Sequence, residues 1–239
     1  MYNMKIHLYT RARMDSKEIG SKFFQILERN KFAPDRVGPS EPLRLKYTNE
    51  VALSLWKSNE DGLFGNISGK GMKPAFYFEA MWWVSPLRVF NTFSFLFHDT
   101  IFRRNRFEID QEFQECISLF LADYGFISHE TSYLRQHVTG RLEDRMPGIF
   151  WCNYFGPLYI DFFGEERLRV FPWIDVTNQS NGMITYLSDD PFQLIDNNEK
   201  EESAKNYLGR ESFGDLVRKQ QYPFETQKCK VPKIGYEQE

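Results

Sequence analysis

The sequence predicts an α+β fold, mostly antiparallel sheet with two or three packed helices, and leaves open an internal duplication of a strand–helix unit. Three observations lead there. Aromatic residues make up 17% of the 239 positions, with 23 Phe, a payload that suits packed sheets and interfaces. Short strand-like runs recur between Gly, Pro and Asn turn signals. Only a few segments, residues 15–29 and 110–125 foremost, carry a capped, helix-periodic apolar stripe.

Residues 5–9 read as a short strand with Ile6 and Leu8 on one face. Asp15-Ser-Lys-Glu18 has the form of a capping box, Asp15 accepting from the third amide and Glu18 reaching back. The helix behind it runs to about Arg29, with Ile19, Phe23, Ile26 and Leu27 at helical spacing. Pro34, Gly38, Pro39 and Pro42 make the next stretch a loop, and Leu43, Leu45 and Tyr47 alternate as an edge strand. Residues 50–57 fit helix or strand. Four glycines within residues 62–71 predict a loop or hairpin turn. Residues 75–84 and 90–98 read as antiparallel partner strands. Asp110 is expected to cap the best helix, with Phe113, Ile117, Phe120, Leu121 and Tyr124 as its stripe and Gly125 as its stop.

Residues 129–145 read as a polar loop with a short element. Pro147-Gly148 then opens the densest aromatic run in the chain. Residues 150–155 and 158–163 read as a β-hairpin about Gly156-Pro157. Trp151, Asn153, Phe155, Leu158, Ile160 and Phe162 would share its buried face, with Asn153 tying a neighbouring loop. The alternative is that Pro157 opens a short helix at its first position. Beyond it lie a helical turn over 165–169, two strands flanking TNQSNG, a short helical piece from Asp190-Pro191, and a surface helix over 199–208 closed by Gly209. Residues 1–220 are expected to form one domain, or two similar halves of about 1–88 and 89–220, with 221–239 a polar tail.

A net charge of −3 argues against direct binding of nucleic acid. Cys116, Cys152 and Cys229 are odd in number and form no C-x-x-C, which reads as reduced core thiols. The N-terminus lacks the charged-then-apolar pattern of a signal region, and no apolar run is long enough to span a bilayer. A cytoplasmic protein with no membrane contact is expected. Catalytic chemistry finds little support. There is no G-x-S-x-G, His129-Glu130 lacks the second histidine of H-E-x-x-H, and Ser68-Gly69-Lys70-Gly71 lacks the rest of a phosphate loop. His7, His98, His129 and His137 are scattered. His98-Asp99 is the pair that could orient an imidazole. No metal or cofactor is expected. The paired carboxylates Glu165-Glu166, Asp189-Asp190 and Glu201-Glu202 form an acidic surface that could steer a basic partner.

The run Pro147-Gly148-Ile149-Phe150-Trp151-Cys152-Asn153-Tyr154-Phe155-Gly156, followed by Tyr159, resembles a P-G-x-x-W-x-N-x-x-G-x-x-Y block of bacterial α+β immunity proteins that accompany polymorphic toxins. The resemblance covers roughly twenty residues. It implies a non-enzymatic protein that binds and neutralises a cognate toxin, a nuclease among the candidates, with the motif residues serving as scaffold. A small-substrate hydrolase or transferase, and a structural or adaptor domain, are the alternatives. Oligomeric state is open.

Overall fold

The computed structural model describes residues 2–58, 62–84, 90–136, 141–214 and 229–234. Most of the tail expected over 221–239 lies outside these residues. The chain divides into two compact units, Met1–Gly125 and Phe126–Glu239.

Unit 1 holds β1 (Met4–Thr10), α1 (Lys17–Arg29), β2 (Arg36–Gly38), β3 (Leu45–Lys46), α2 (Asn49–Leu55), β4 (Phe64–Met72), β5 (Ala75–Trp83), β6 (Asn91–Phe97), α3 (Asp99–Arg104) and α4 (Arg106–Phe120). Its strands lie in the order β3-β2-β4-β5-β6-β1. The described registers are all antiparallel, with Met4 opposite Phe97, Phe76 opposite Phe97 and Gly69 opposite Phe78. One face of the sheet is aromatic. Phe76, Phe78, Trp82, Phe93 and Phe95 bury there against Phe23 and Phe24 of α1 and Phe113 and Phe120 of α4. Phe23 meets Phe78 at 5.2 Å, Phe93 at 5.3 Å and Phe120 at 5.7 Å between ring centroids. Each such side chain contributes about 1.5–3 kcal/mol through burial, and favourable ring geometry adds about 0.5–1.5 kcal/mol.

The glycine-rich stretch expected to be a loop is instead the nine-residue strand β4. The reason is volume. Gly65, Gly69 and Gly71 stand directly opposite Trp82, Phe78 and Phe76, and a Cβ on any of them would fall within 2.2–2.3 Å of the facing ring. At the remaining pair of this face the sizes invert, with Ile67 opposite Ala80. Glycine here makes room for rings, one of its recognised uses inside a strand.

Unit 2 holds α5 (Glu130–Gln136), β8 (Cys152–Phe155), α6 (Pro157–Phe163), α7 (Glu165–Val170), β9 (Asp175–Gln179), β10 (Gly182–Tyr186), a 3-10 turn (Pro191–Leu194) and α8 (Glu199–Leu208). β7 (Tyr124–His129) opens its strand order, β7-β8-β10-β9.

The expectation of two or three packed helices is overturned: the described residues contain ten strands and eight α-helices. Several helices span only six or seven residues, too short to print a periodic stripe. The second strand of the expected hairpin is helix α6, with Pro157 at its first position and Tyr159 and Phe163 buried four residues apart. Its partner shortens to β8. Asp110 is not a cap but lies inside α4, which begins at Arg106. Leu121 ends that helix in the left-handed conformation with its side chain 70% exposed. Tyr124 and Gly125 belong to β7. At α1 the cap is Ser16, whose hydroxyl accepts from the Ile19 amide at 3.2 Å, while Asp15 pairs with Arg13. The strand and helix of residues 5–29 and the strand and helix of residues 90–125, the two units a duplication would relate, both lie in unit 1. Among the described residues no helix is long and apolar enough to cross a membrane. Cys116 and Cys152 are buried free thiols, and Cys229 is a half-buried one.

The seam between α1 and α4 encloses a carboxyl. Glu112 is fully buried; it accepts from the Asn30 amide at 3.0 Å and the Cys116 thiol at 3.3 Å. The same amide reaches Glu115 at 2.9 Å, and Arg29 pairs with Glu115 at 2.7 Å. Burial raises the Glu112 carboxyl from 4.5 to about 7. Unfolded, Glu112 releases its proton near 4.5; folded, it holds it to about 7. Its contribution to stability therefore falls as pH rises between those values, and the full penalty stands above pH 7.

Two outcomes follow. Gly69→Val should destabilise unit 1 by about 1–3 kcal/mol in urea unfolding, the ordinary cost of overpacking. Glu112→Gln should gain on the parent protein as pH rises from 5 to 8, by on the order of 2–3 kcal/mol, read from thermal unfolding at both pH values.

Candidate functional site

The six acidic residues singled out from the sequence all fall in unit 2, but they do not form one acidic face. Glu165 opens α7 and pairs with Arg169 at 2.9 Å, one helical turn away. Glu166 beside it is exposed. Asp189 is exposed, and Asp190 caps the 3-10 turn, its carboxylate accepting from the Phe192 amide at 2.9 Å. Glu202 is held between Lys205 and Arg210. Glu201 is not on the surface at all. It is fully buried, hydrogen-bonded by Ser132 and by Arg135, whose Nη2 lies at 2.7 Å. Arg135 also donates to the carbonyls of Leu194 and Ile195, so one guanidinium ties α5, the 3-10 turn and α8 together. Burial pushes the Glu201 carboxyl up, and the bonds from Ser132 and Arg135 draw it back. The residue spacing of α8 explains the surprise: Glu201, Ala204, Lys205 and Leu208 share the inward stripe.

The motif residues of the aromatic run serve as ties. Asn153 lies in a strand buried on both faces, so no alternation marks it; it accepts from the Phe150 amide and donates to the Phe150 carbonyl, both at 2.8 Å. Trp151 donates to the Ser188 carbonyl at 2.7 Å, and Gly156 caps α6. Gln136 does the same for Ile149, through both its donor and its acceptor.

One surface of unit 2 differs from the rest. Val170 ends α7 at 68% exposure, and Ile174 precedes β9 at 49%. The residues between them are anchored. Trp173 donates to the Leu168 carbonyl at 2.6 Å, and the Ile174 amide to Tyr186 at 2.8 Å. Arg169 bridges Glu165 and the Asn178 side chain, the latter at 2.8 Å, which locks α7 to β9. β9 stands last in the strand order, with β10 as its neighbour, and exposes Asp175, Thr177 and Asn178. Among the described residues β9 ends the strand order, and Val170, Ile174 and the carboxylates of Glu165 and Glu166 lie on the segment that leads into it. Val170 and Ile174 carry no signal in the sequence, because nothing in the pattern tells an exposed aliphatic residue from a buried one.

The described histidines lie on separate elements. His98 precedes α3 without capping it, and Asp99 accepts from the Thr100 amide at 2.7 Å. His129 accepts from the Thr131 amide at 3.1 Å, and His137 lies outside the described residues. His7 meets Ser94 at 2.7 Å, a pairing that only the β1–β6 register reveals. The pair puts a base beside a hydroxyl within the sheet, where β6 is hydrogen-bonded along both edges, to β5 and to β1. Among the described residues no group of three or more His, Cys, Asp or Glu could hold a metal ion.

The two classes of carboxylate should separate cleanly in thermal unfolding. Glu201→Ala leaves Arg135 without its counter-charge and should cost about 3 kcal/mol or more, whereas Glu166→Ala should stay within about 0.5 kcal/mol of the parent protein.

No protein-family model matches the chain, and no curated protein matches it. Among solved structures it is similar to "Pseudomonas aeruginosa T6SS protein PA0821", with a TM-score of 0.61 and 12% sequence identity over 96% of this chain and 79% of that one. At this identity the likeness is one of fold alone.

Proposed function

We propose that the protein is an immunity-type binding protein that captures and neutralises a cognate bacterial toxin without catalysis. The observation that carries this reading is the fold likeness to a protein described as a T6SS protein. The Pro147–Tyr159 block, similar to a block of α+β immunity proteins, supports it independently. The partner-binding face is the α7–β9 surface: Val170 and Ile174 as apolar anchors, Glu165 and Glu166 at the rim, and the outer edge of β9 for strand pairing. Central apolar anchors with a charged rim are how tight protein interfaces are usually built. A nuclease toxin suits the acidic rim, since its phosphate-binding groove is cationic. The protein acts in the cytoplasm of the toxin's producer, contacting neither nucleic acid nor membrane.

The test is co-expression with each toxin candidate encoded beside the gene, scored by growth and by isolation of a one-to-one complex. Rescue with a stable complex is expected. Val170→Glu combined with Ile174→Glu should weaken that complex at least tenfold while leaving the unfolding midpoint within a few degrees. Failure to bind or neutralise any product of the locus sinks the reading. Undiminished affinity in the double variant would move the binding face elsewhere.

A further inference from the structure

Unit 2 contains two inward-pointing arginines, and they are treated very differently. Arg135 retains 26% side-chain exposure and spends its fork on Glu201 and two carbonyls. Arg145 is more deeply buried, at 6% exposure, and its Nε is sealed from solvent with no acceptor. Among the described residues no carboxylate, carbonyl or side-chain oxygen accepts from its guanidinium. Its backbone is not loose. The Arg145 and Asp144 amides donate to the Arg141 carbonyl at 3.1 and 3.0 Å, the Met146 amide to Ser212 at 2.9 Å, and the Cys229 amide to the Asp144 carbonyl at 3.3 Å. The segment is thus held on two sides, by residues 212–213 and by Cys229, with the guanidinium inside.

That arrangement is costly as it stands. A guanidinium cannot shed its proton, and a charge taken out of water without a counter-charge costs several kcal/mol. Burial raises the nearby Cys229 thiol; the positive charge of Arg145 draws it down, and Asp144 raises it. Cys229 therefore senses Arg145 as a cation. Among the described residues no ion pair joins Asp144 to Arg145.

We propose that Arg145 is the receptor of a buried oxyanion site in unit 2, taking a free small anion of the carboxylate or phosphate class through its planar fork. The fork fits two oxygens of one such group in parallel bonds. The anion would supply the counter-charge that no described residue of unit 2 provides, so its binding and the stability of the unit are linked.

The test uses the full chain at constant ionic strength, replacing chloride in turn by inorganic phosphate, sulfate and acetate. At least one should raise the unfolding midpoint by about 3–6 °C once it exceeds its Kd about tenfold. Arg145→Met should abolish the rise while matching or exceeding the parent protein's midpoint in chloride. Arg145→Lys keeps the charge and loses the fork, so calorimetric affinity for phosphate should fall at least tenfold; it serves where Arg145→Met does not fold. No response of the parent protein to any of the three anions overturns the proposal. So does an Arg145→Met protein that responds as the parent does, or an Arg145→Lys protein of unchanged affinity.

Discussion

A strand with almost no side chains lies beside a strand with very large ones, and unit 1 is arranged around that inequality. Gly65, Gly69 and Gly71 let the rings of Trp82, Phe78 and Phe76 lie across β4, while Ile67 fills the space over Ala80. Phe23 of α1 then packs on Phe78 and Phe93, and Phe120 of α4 closes on Phe23 and Phe93. Protein interiors are packed to crystal-like density, so the depth of this aromatic layer is set by the glycines beneath it. The helices sit where they do because the rings lie flat.

Unit 2 is organised by a different means. Its strands are short, and side chains reaching to backbone groups join its parts: Asn153 to Phe150, Gln136 to Ile149, Trp151 to Ser188, Arg135 to Leu194 and Ile195. A buried polar side chain is tolerable only when its bonds are made, and these bonds fix irregular segments that apolar packing alone would leave in several arrangements. The exposed pair Val170 and Ile174 is presented by such a segment, which is why it can act as a preformed surface.

What the sequence discloses depends on whether a local signal has one cause. The strands near residues 4–10, 75–83 and 91–97 and the helices over 17–29 and 199–208 were legible, since period and caps agree there. The glycines of β4 were read as a turn because glycine signals either freedom or close approach, and only the facing strand says which. Residues 158–163 are apolar enough for either element; the position of Pro157 in the first turn decided for helix. Alternation alone does not place Asn153, because Cys152 and Tyr154 on the opposite face of β8 are as deeply buried, and its bonds stay within three residues, to Phe150. Glu201 could not be assigned to the interior, because a carboxylate enters it only with a partner, and Arg135 lies 66 positions away. Val170, Ile174 and Arg145 left no sequence signal, since exposure and the lack of a partner are properties of the folded chain.

The facing glycines and rings of β4 and β5 also constrain descent. At each rung the two residues share a fixed volume, so neither can drift alone: enlarging one member demands shrinking the other in the same lineage. Identity can then erode almost completely while the summed size at each rung persists. A distant relative of this chain is better sought by that paired inheritance of bulk across two neighbouring strands than by any residue the two chains still have in common.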